Sequence, residues 1–374
     1  MPAKNKITVL RGMVRNVIFA TNIIAIVFLF CSFLSWRVSP LKTNLFSYLG
    51  LAFAFVLLLN VMYLFLWILF KKWKLALISF VSLVLCHKPI TTFFPLNFFP
   101  EKTPQNTIKV LTYNVQGFIN ESGKTVTKHP MLDYIAQTDA DIVCLQEYLV
   151  SKTGQSLKSQ RDINRILNKY PYRAVTGLEA SGKYHTYGLA VFSKYPIEKT
   201  QKIVFNSSFN GAAAYIIDIN GTKVAVANVH LESNSISAED KKLYNDFLQN
   251  SDLVNLEDVT SNIRTRLGRA YRLRAEQVRK VKNHLAELDA EATILCGDFN
   301  DTPISYTYAQ LKKGLQDAYA STGFGPGITY HKDFFWFRID NIFHSPNLKA
   351  YKARVDKVAY SDHYPMTTFL KMNE

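Results

Sequence analysis

Hydrophobic and polar positions divide this 374-residue chain into two regimes. Between residues 17 and 99, Leu, Phe, Val and Ile dominate with few interruptions, whereas from residue 105 onward short apolar runs alternate with polar and amphipathic stretches. In the second regime IKVLTYNV, ADIVCLQE, GLAVFSKYPI, AAAYIIDI, KVAVANVHLE, ATILCGDFN, RIDNIFHS and MTTFLKM have the β-branched and aromatic content of strands. Arg161–Tyr170 and Leu267–Leu288 read as amphipathic helices, the latter through Ala270, Val278, Val281, Leu285 and Leu288. Strands interleaved with helices predict an α/β domain with large sheets.

The first regime predicts a membrane region. Val17–Trp36 and the longer Leu45–Phe70 are uncharged and apolar, and a bilayer needs about 20 helical residues. A cleaved signal peptide fits less well, because the first run is long, lacks an A-x-A-like exit and is followed at once by a second. Lys4, Lys6, Arg11 and Arg15 precede the first run and Lys71, Lys72 and Lys74 follow the second, which puts both clusters on the cytoplasmic side. Leu75–Cys86 is shorter and is interrupted by His87, Lys88 and Pro89 before TTFFPLNFF. With tilt and snorkelling it makes a third span and carries the following domain out of the cytoplasm, to the periplasmic or extracellular side; otherwise it is an interfacial anchor. The expected organisation is a membrane anchor of two or three helices over residues 1–100, a polar linker over 101–106 (EKTPQN) and a folded domain over 107–374.

Charge changes the picture little. A formal net charge of +15 suggests nucleic acid, but residues 1–104 hold eleven Lys/Arg against the single acid Glu101, while residues 105–374 hold 33 against 28. Most of the basic excess therefore flanks apolar segments, where it sets orientation in a bilayer. Cys31, Cys86, Cys144 and Cys296 lie within apolar or strand-like runs without C-x-x-C spacing, and read as small buried hydrophobes.

Polar residues collect where strands are expected to end: Asn114 in TYNVQG, Glu147 in DIVCLQE, His230 in NVHLE, Asp298 and Asn300 in CGDFND, Asp340 in RIDNIF, and Asp362 and His363 in SDHYP. Singly, each reads as a cap or turn residue. Together they read as one rim of a sheet, where ligand sites gather. Carboxylates and carboxamides without a thiolate suit a hard cation such as Mg²⁺, and imidazoles beside carboxylates suit acid–base chemistry near neutral pH. The sequence has no nucleophile elbow, Walker loop or H-E-x-x-H, which leaves metal-assisted attack of water on a phosphate ester as the favoured chemistry.

TYNVQG, LQE, NVHLE, GDFND, RIDNIF and SDHYP, in this order from Leu111 to Pro365, resemble the endonuclease/exonuclease/phosphatase superfamily. The resemblance covers residues 105–374 and excludes the apolar region. It implies a four-layer α/β sandwich, two mixed β-sheets flanked by helices, here preceded by an N-terminal helical transmembrane region. It also implies a phosphoesterase site dependent on Mg²⁺, with Mn²⁺ as the alternative. By matching position, Glu147 is the principal metal ligand with Asn114 and Asp362 near the metal; Asp340 orients His363, which acts on the attacking water; Asp298 and Asn300 position the nucleophile and phosphate oxygens. The histidine of NVHLE, His230, resembles the deoxyribonuclease, sphingomyelinase and phosphatase branches, where it bonds the phosphate or protonates the leaving oxygen, and not the abasic-site endonucleases. Tyr187 in HTYGLAVFSKYPI falls where relatives have a substrate-binding residue, and reads equally as a strand-packing tyrosine.

The substrate is a phosphate ester, either a lipid headgroup or a nucleic acid. The expected bilayer contact through residues 17–99 favours a membrane-associated ester, since tethering raises local concentration there, and FFWF at Phe334–Phe337 is a candidate apolar lip. A surface nuclease is the rival reading, and a non-catalytic phosphate-binding membrane module the third. Arg264, Arg266, Arg269, Arg272, Arg274, Arg279, Lys280 and Lys282 form either a solvated helix face or a contact for an anionic partner. No protein partner is predicted.

Overall fold

The computed structural model describes residues 3–99, 101–119, 130–152, 159–234, 256–332 and 336–373. Two compact units divide the chain: Met1–Phe93 with Ile304–Tyr306, and Phe94–Pro303 with Thr307–Glu374.

The first unit is helical. Within it Leu10–Trp36 is long and apolar enough to cross a membrane. The remaining apolar sequence forms bent pairs, Leu45–Leu51 with Phe53–Leu69 (64°) and Trp73–Leu85 with His87–Phe93 (65°), so the later runs are broken and not straight helices. Pro89 follows the second break, and a proline at that point has no amide hydrogen with which to continue the preceding helix. Polar groups sit inside this unit: the Trp67 indole and the Ser79 hydroxyl both donate to Asn22 Oδ1, at 2.9 and 3.0 Å, and Asn60 Nδ2 donates to the Ala25 carbonyl at 3.0 Å. Phe55, Leu69 and Leu85 are exposed outward.

The second unit contains two six-stranded mixed sheets. The strands are β1 (Ile108–Asn114), β2 (Ile142–Ser151), β3 (Tyr172–Gly177), β4 (His185–Ser193), β5 (Ile197–Ile203), β6 (Gly211–Ile219), β7 (Thr222–His230), β8 (Ala292–Asp298), β9 (Gln316–Asp317), β10 (Asp340–His344), β11 (Leu348–Val355) and β12 (Met366–Met372). The order is β11-β12-β1-β2-β4-β3 in one sheet and β5-β6-β7-β8-β10-β9 in the other, with β1/β2 and β7/β8 parallel. Side chains alternate across each strand, and inner strands such as β1 and β8 are buried on both faces. Val110, Cys144, Val191, Tyr215, Val226 and Ile294 fill the space between the sheets. Leu111, Val143 and Phe192 pack outward against Leu132 and Ile135 of helix Pro130–Thr138, and Ala227 and Leu295 against Val278 and Val281 of helix Leu256–Ala286. Helix, sheet, sheet, helix is the expected four-layer sandwich.

All eight strand-like runs are strands, though GLAVFSKYPI turns at Lys194–Pro196 and ends in the start of β5. The Leu267–Leu288 expectation is a longer helix, Leu256–Ala286, and Arg161–Tyr170 is the shorter Gln160–Ile166. The division between units falls at Phe93/Phe94. Asn97 Nδ2 already donates to the Gly323 carbonyl at 2.8 Å, and Glu101, inside the segment expected to be a linker, pairs with Lys349 at 2.7 Å.

Candidate active site at one rim of the sandwich

The strand registers bring the singled-out residues to one rim. Parallel β7 and β8 end together with His230 opposite Asp298, and antiparallel β10 begins with Asp340 opposite Asp298. Antiparallel β12 starts beside the end of β1, so the SDHYP segment before it meets Asn114; Ser361 Oγ donates to the Asn114 carbonyl at 2.8 Å. Asp362 and His363 therefore precede a strand and do not interrupt one.

Glu147 reaches the rim by another route. β2 continues to Ser151, but its pairing with β4 slips between Leu145 and Tyr148, and Glu147 has φ +51°. A bulge of this kind re-aims a side chain that a regular strand would point elsewhere.

Asn114 lies at the centre. Its Nδ2 donates to Glu147 Oε1 at 3.0 Å and Asp298 Oδ2 at 3.1 Å, while its Oδ1 accepts from the Gln116 amide at 3.1 Å. Gln116 Nε2 donates to Asp362 Oδ2 at 3.0 Å, so one glutamine bridges Asn114 and Asp362. Asn300, at φ +52°, donates its amide to Asp298 Oδ1 (2.8 Å) and its Nδ2 to Asp298 Oδ2 (3.2 Å) and the Leu231 carbonyl (2.9 Å). His230 Nε2 lies 3.6 Å from Glu147 Oε1 and 3.8 Å from Asp298 Oδ2, facing both carboxylates beyond hydrogen-bond length.

His363 Nδ1 lies 2.8 Å from Asp340 Oδ2, and its Nε2 points toward Asp298 Oδ2 at 3.7 Å. Burial disfavours charge on this imidazole, but Asp340 and then Asp298 outweigh it and hold its pKa up at about 10. Asp298 is pushed up to about 6 by its own burial and by Asp340, with His363 and His230 pulling the other way. Tyr187 on β4 is half-buried, and its hydroxyl is raised by burial and by the charges of Glu147 and Asp298, which sets it at the same rim; its ring meets the exposed Phe209 at 5.6 Å.

A divalent cation fits this donor set. Asp298 and Asp340 are buried at the same rim as the half-buried Glu147, Asp340 Oδ1 has no hydrogen-bond partner among the described residues, and the oxygen-only character of Glu147, Asn114 and Asp362 suits a hard ion. Among the described residues, Asp298, Asp340 and His363 also bring ligand-type atoms within 4.8 Å of one another.

Several residues escaped the sequence reading. Thr329 Oγ1 accepts the backbone amides of Ile339 and Asp340 at 3.0 and 3.1 Å and fixes the start of β10, and the Tyr330 ring stands edge-on to His363 at 5.2 Å. Asn210 Nδ2 donates to the Leu231 carbonyl beside His230. Arg274, counted among a surface cluster by sequence, is fully buried: Nε pairs with Asp301 Oδ2 at 3.2 Å and Nη1 donates to the Glu232 carbonyl at 2.8 Å, bracing the loops after β7 and β8. Arg264, Arg266, Arg269, Arg272, Arg279 and Lys280 are exposed and Lys282 is half-buried. Of the expected FFWF lip, Phe334 and Phe335 lie outside the described residues; Trp336 is 65% exposed and Phe337 is paired with Tyr330. Only Gln116 had a usable signal, its seat within TYNVQG.

Residues 111–363 match the family model described as Endonuclease/Exonuclease/phosphatase family, and residues 15–93 match one described as a domain of unknown function (DUF8431). None of the curated proteins matches the chain. Among solved structures, a humanized D. rerio TDP2 carrying 14 mutations is similar at 16% identity and TM-score 0.50, over 71% of this chain and 99% of that one. An endonuclease/exonuclease/phosphatase from Beutenbergia cavernae matches at 17% identity and TM-score 0.49, over 71% of this chain and 72% of that one. A family protein from Leptotrichia buccalis matches at 18% and 0.48, over 71% and 100%. The likeness to TDP2 is one of fold. With the family model spanning more than half of the sequence and the sandwich and its acidic rim in agreement, the chain belongs to the endonuclease/exonuclease/phosphatase family and is a hydrolase of phosphate ester bonds.

Proposed function

We propose that this protein is a membrane-anchored, Mg²⁺-dependent phosphoesterase that hydrolyses a phosphodiester or phosphomonoester, with a lipid-linked ester as the leading substrate class. The observation that carries the reading is the hydrogen-bonded chain from Glu147 through Asn114 to Asp298, with His230 and His363 both facing Asp298. Glu147, Asn114 and Asp362 would hold the cation. When bound, Mg²⁺ supplies positive charge that polarises a phosphoryl oxygen.

The chain's own groups divide the remaining work. His363, charged well above neutral pH, carries a proton on Nε2 to present to a phosphoryl oxygen, and Asp340 fixes the ring through Nδ1. Asp298, at about 6, has the basicity a general base needs near neutral pH and accepts a proton from the attacking water. In this reading Asp298 accepts the proton of the water on which His363 was expected to act. Asn300 orients Asp298, and His230 stands ready to bond the phosphate or the leaving oxygen. Tyr187 lines the substrate side.

Apolar helices with polar groups turned inward support a bilayer anchor; with each bent pair counted as one span and the basic N-terminus inside, the reading takes three spans and a non-cytoplasmic catalytic unit. A C-terminal reporter fusion tests the side. The activity is tested on the full chain in detergent with Mg²⁺ and bis-p-nitrophenyl phosphate, sphingomyelin, phosphoinositides and plasmid DNA, using His363→Ala as the blank. Hydrolysis of a lipid ester is expected; hydrolysis of DNA alone would overturn the lipid preference.

A further inference from the structure

The geometry points to Asn228 as a positioning residue that sets Glu147 from the opposite sheet. Asn228 lies on β7, two residues before His230, fully buried between the sheets. Its Nδ2 donates to the carbonyls of Leu145 (3.0 Å) and Ala190 (3.1 Å), and its Oδ1 accepts from Gln146 Nε2 at 2.7 Å. Those partners surround the bulge: Leu145 and Ala190 are the last regular pair of β2 and β4 before the slip, and Gln146 and Glu147 occupy the slip itself.

The chemistry explains why an asparagine stands there. A bulge breaks the ladder locally, and a buried carbonyl left without a donor destabilises the fold. Glu147 is moreover held at positive φ, a conformation that persists only where the surroundings fix it. One carboxamide with two donors and an acceptor meets three of these groups at once; Asp lacks the donors and Leu lacks both. Gln146 continues the network by donating to Thr112 Oγ1 on β1 at 3.1 Å, so β1, β2, β4 and β7 are tied beneath the site. The face of β7 that bears Asn228 also bears His230, 3.6 Å from Glu147. The clamp thus aligns Glu147 with both Asn114 and His230.

This inference rests on the reading of Glu147 as a cation ligand. The test compares full-length Asn228→Leu, Asn228→Asp, the double variant Asn228→Leu/Gln146→Leu and Glu147→Gln in detergent. The readouts are Mg²⁺ binding by titration calorimetry, hydrolysis of bis-p-nitrophenyl phosphate and thermal unfolding. Loss of an outer-shell partner weakens metal affinity or activity by about 10–100-fold. The Asn228 variants are expected to bind Mg²⁺ and turn over about 10–100-fold less well, with KM within about threefold. The double variant, which removes both members of one bond, is expected to regain melting temperature over Asn228→Leu without regaining Mg²⁺ affinity or kcat. If Asn228→Leu does not fold, Asn228→Asp supplies the same comparison with the side-chain volume kept. Recovery of affinity and kcat together with stability in the double variant would overturn the clamp and leave a purely structural role. An impaired Glu147→Gln beside unimpaired Asn228 variants overturns the clamp alone, whereas a wild-type-like Glu147→Gln overturns the reading of the site and the clamp with it.

Discussion

Replacing Asp340 by Asn keeps the side chain's shape and removes the charge that sustains His363. Burial opposes a charged imidazole, yet Asp340 and Asp298 raise it from 6.5 to about 10. At about 1.4 kcal/mol per unit, the displacement corresponds to roughly 5 kcal/mol. Breaking a buried pair by removing one partner costs about 3–5 kcal/mol, and Asp298 remains to hold part of the charge, so Asp340→Asn should lose about 2–4 kcal/mol. The folded-state value lies above the unfolded one, so this stabilisation is complete below about pH 6.5 and is lost as pH rises through about 10. Melting curves of the full chain in detergent at pH 6, 8 and 10 should show a gap between wild type and variant of about 5–15 °C at pH 6 that closes toward pH 10. In parallel, kcat should fall by about 10²–10⁴-fold, as expected when an imidazole loses the carboxylate that orients it. A gap that stays level or widens with pH, or an unchanged kcat, refutes the assignment of His363's charge to Asp340.

Three further outcomes follow from other parts of the chain. Arg274→Met strands Asp301 in a buried position, and denaturation of the variant should report a loss of about 3–5 kcal/mol. In the helical unit Asn22→Leu removes the acceptor shared by Trp67 and Ser79; a loss of about 1–2 kcal/mol in detergent-titrated unfolding is expected, and none if the pair is incidental. Mg²⁺ at about 100 times its dissociation constant should stabilise the chain by about 3 kcal/mol, and chelation should reverse the shift. That gain should shrink below about pH 6, where Asp298 protonates and the carboxylate excess that attracts the cation falls.

How much of this was legible follows from where residues sit in the sheets. The eight strands read from sequence are the inner ones, buried on both faces, such as β1 and β8. The strands not read as separate elements, β3, β5, β9 and β11, are the four sheet edges, where Tyr172 and Arg173 or Glu198 and Lys199 face solvent and dilute the apolar pattern. The acidic rim was legible because carboxylates and imidazoles interrupt otherwise apolar runs. The supports were not: Asn228, Thr329 and Gln116 act through a partner distant in sequence or through backbone groups, and no local pattern records a bond from Asn228 to Ala190. Arg274 misled for the opposite reason, since its burial depends on Asp301 and not on the basic residues around it.

The most direct test of the central claim is the initial rate of bis-p-nitrophenyl phosphate hydrolysis by the full chain as Mg²⁺ is titrated, for wild type and Glu147→Gln side by side. The account predicts a saturable dependence on the cation in the wild type and, in the variant, a rate at least about 100-fold lower that higher Mg²⁺ only partly restores. Equal rates for the two proteins, or wild-type hydrolysis undiminished by chelation, would contradict it.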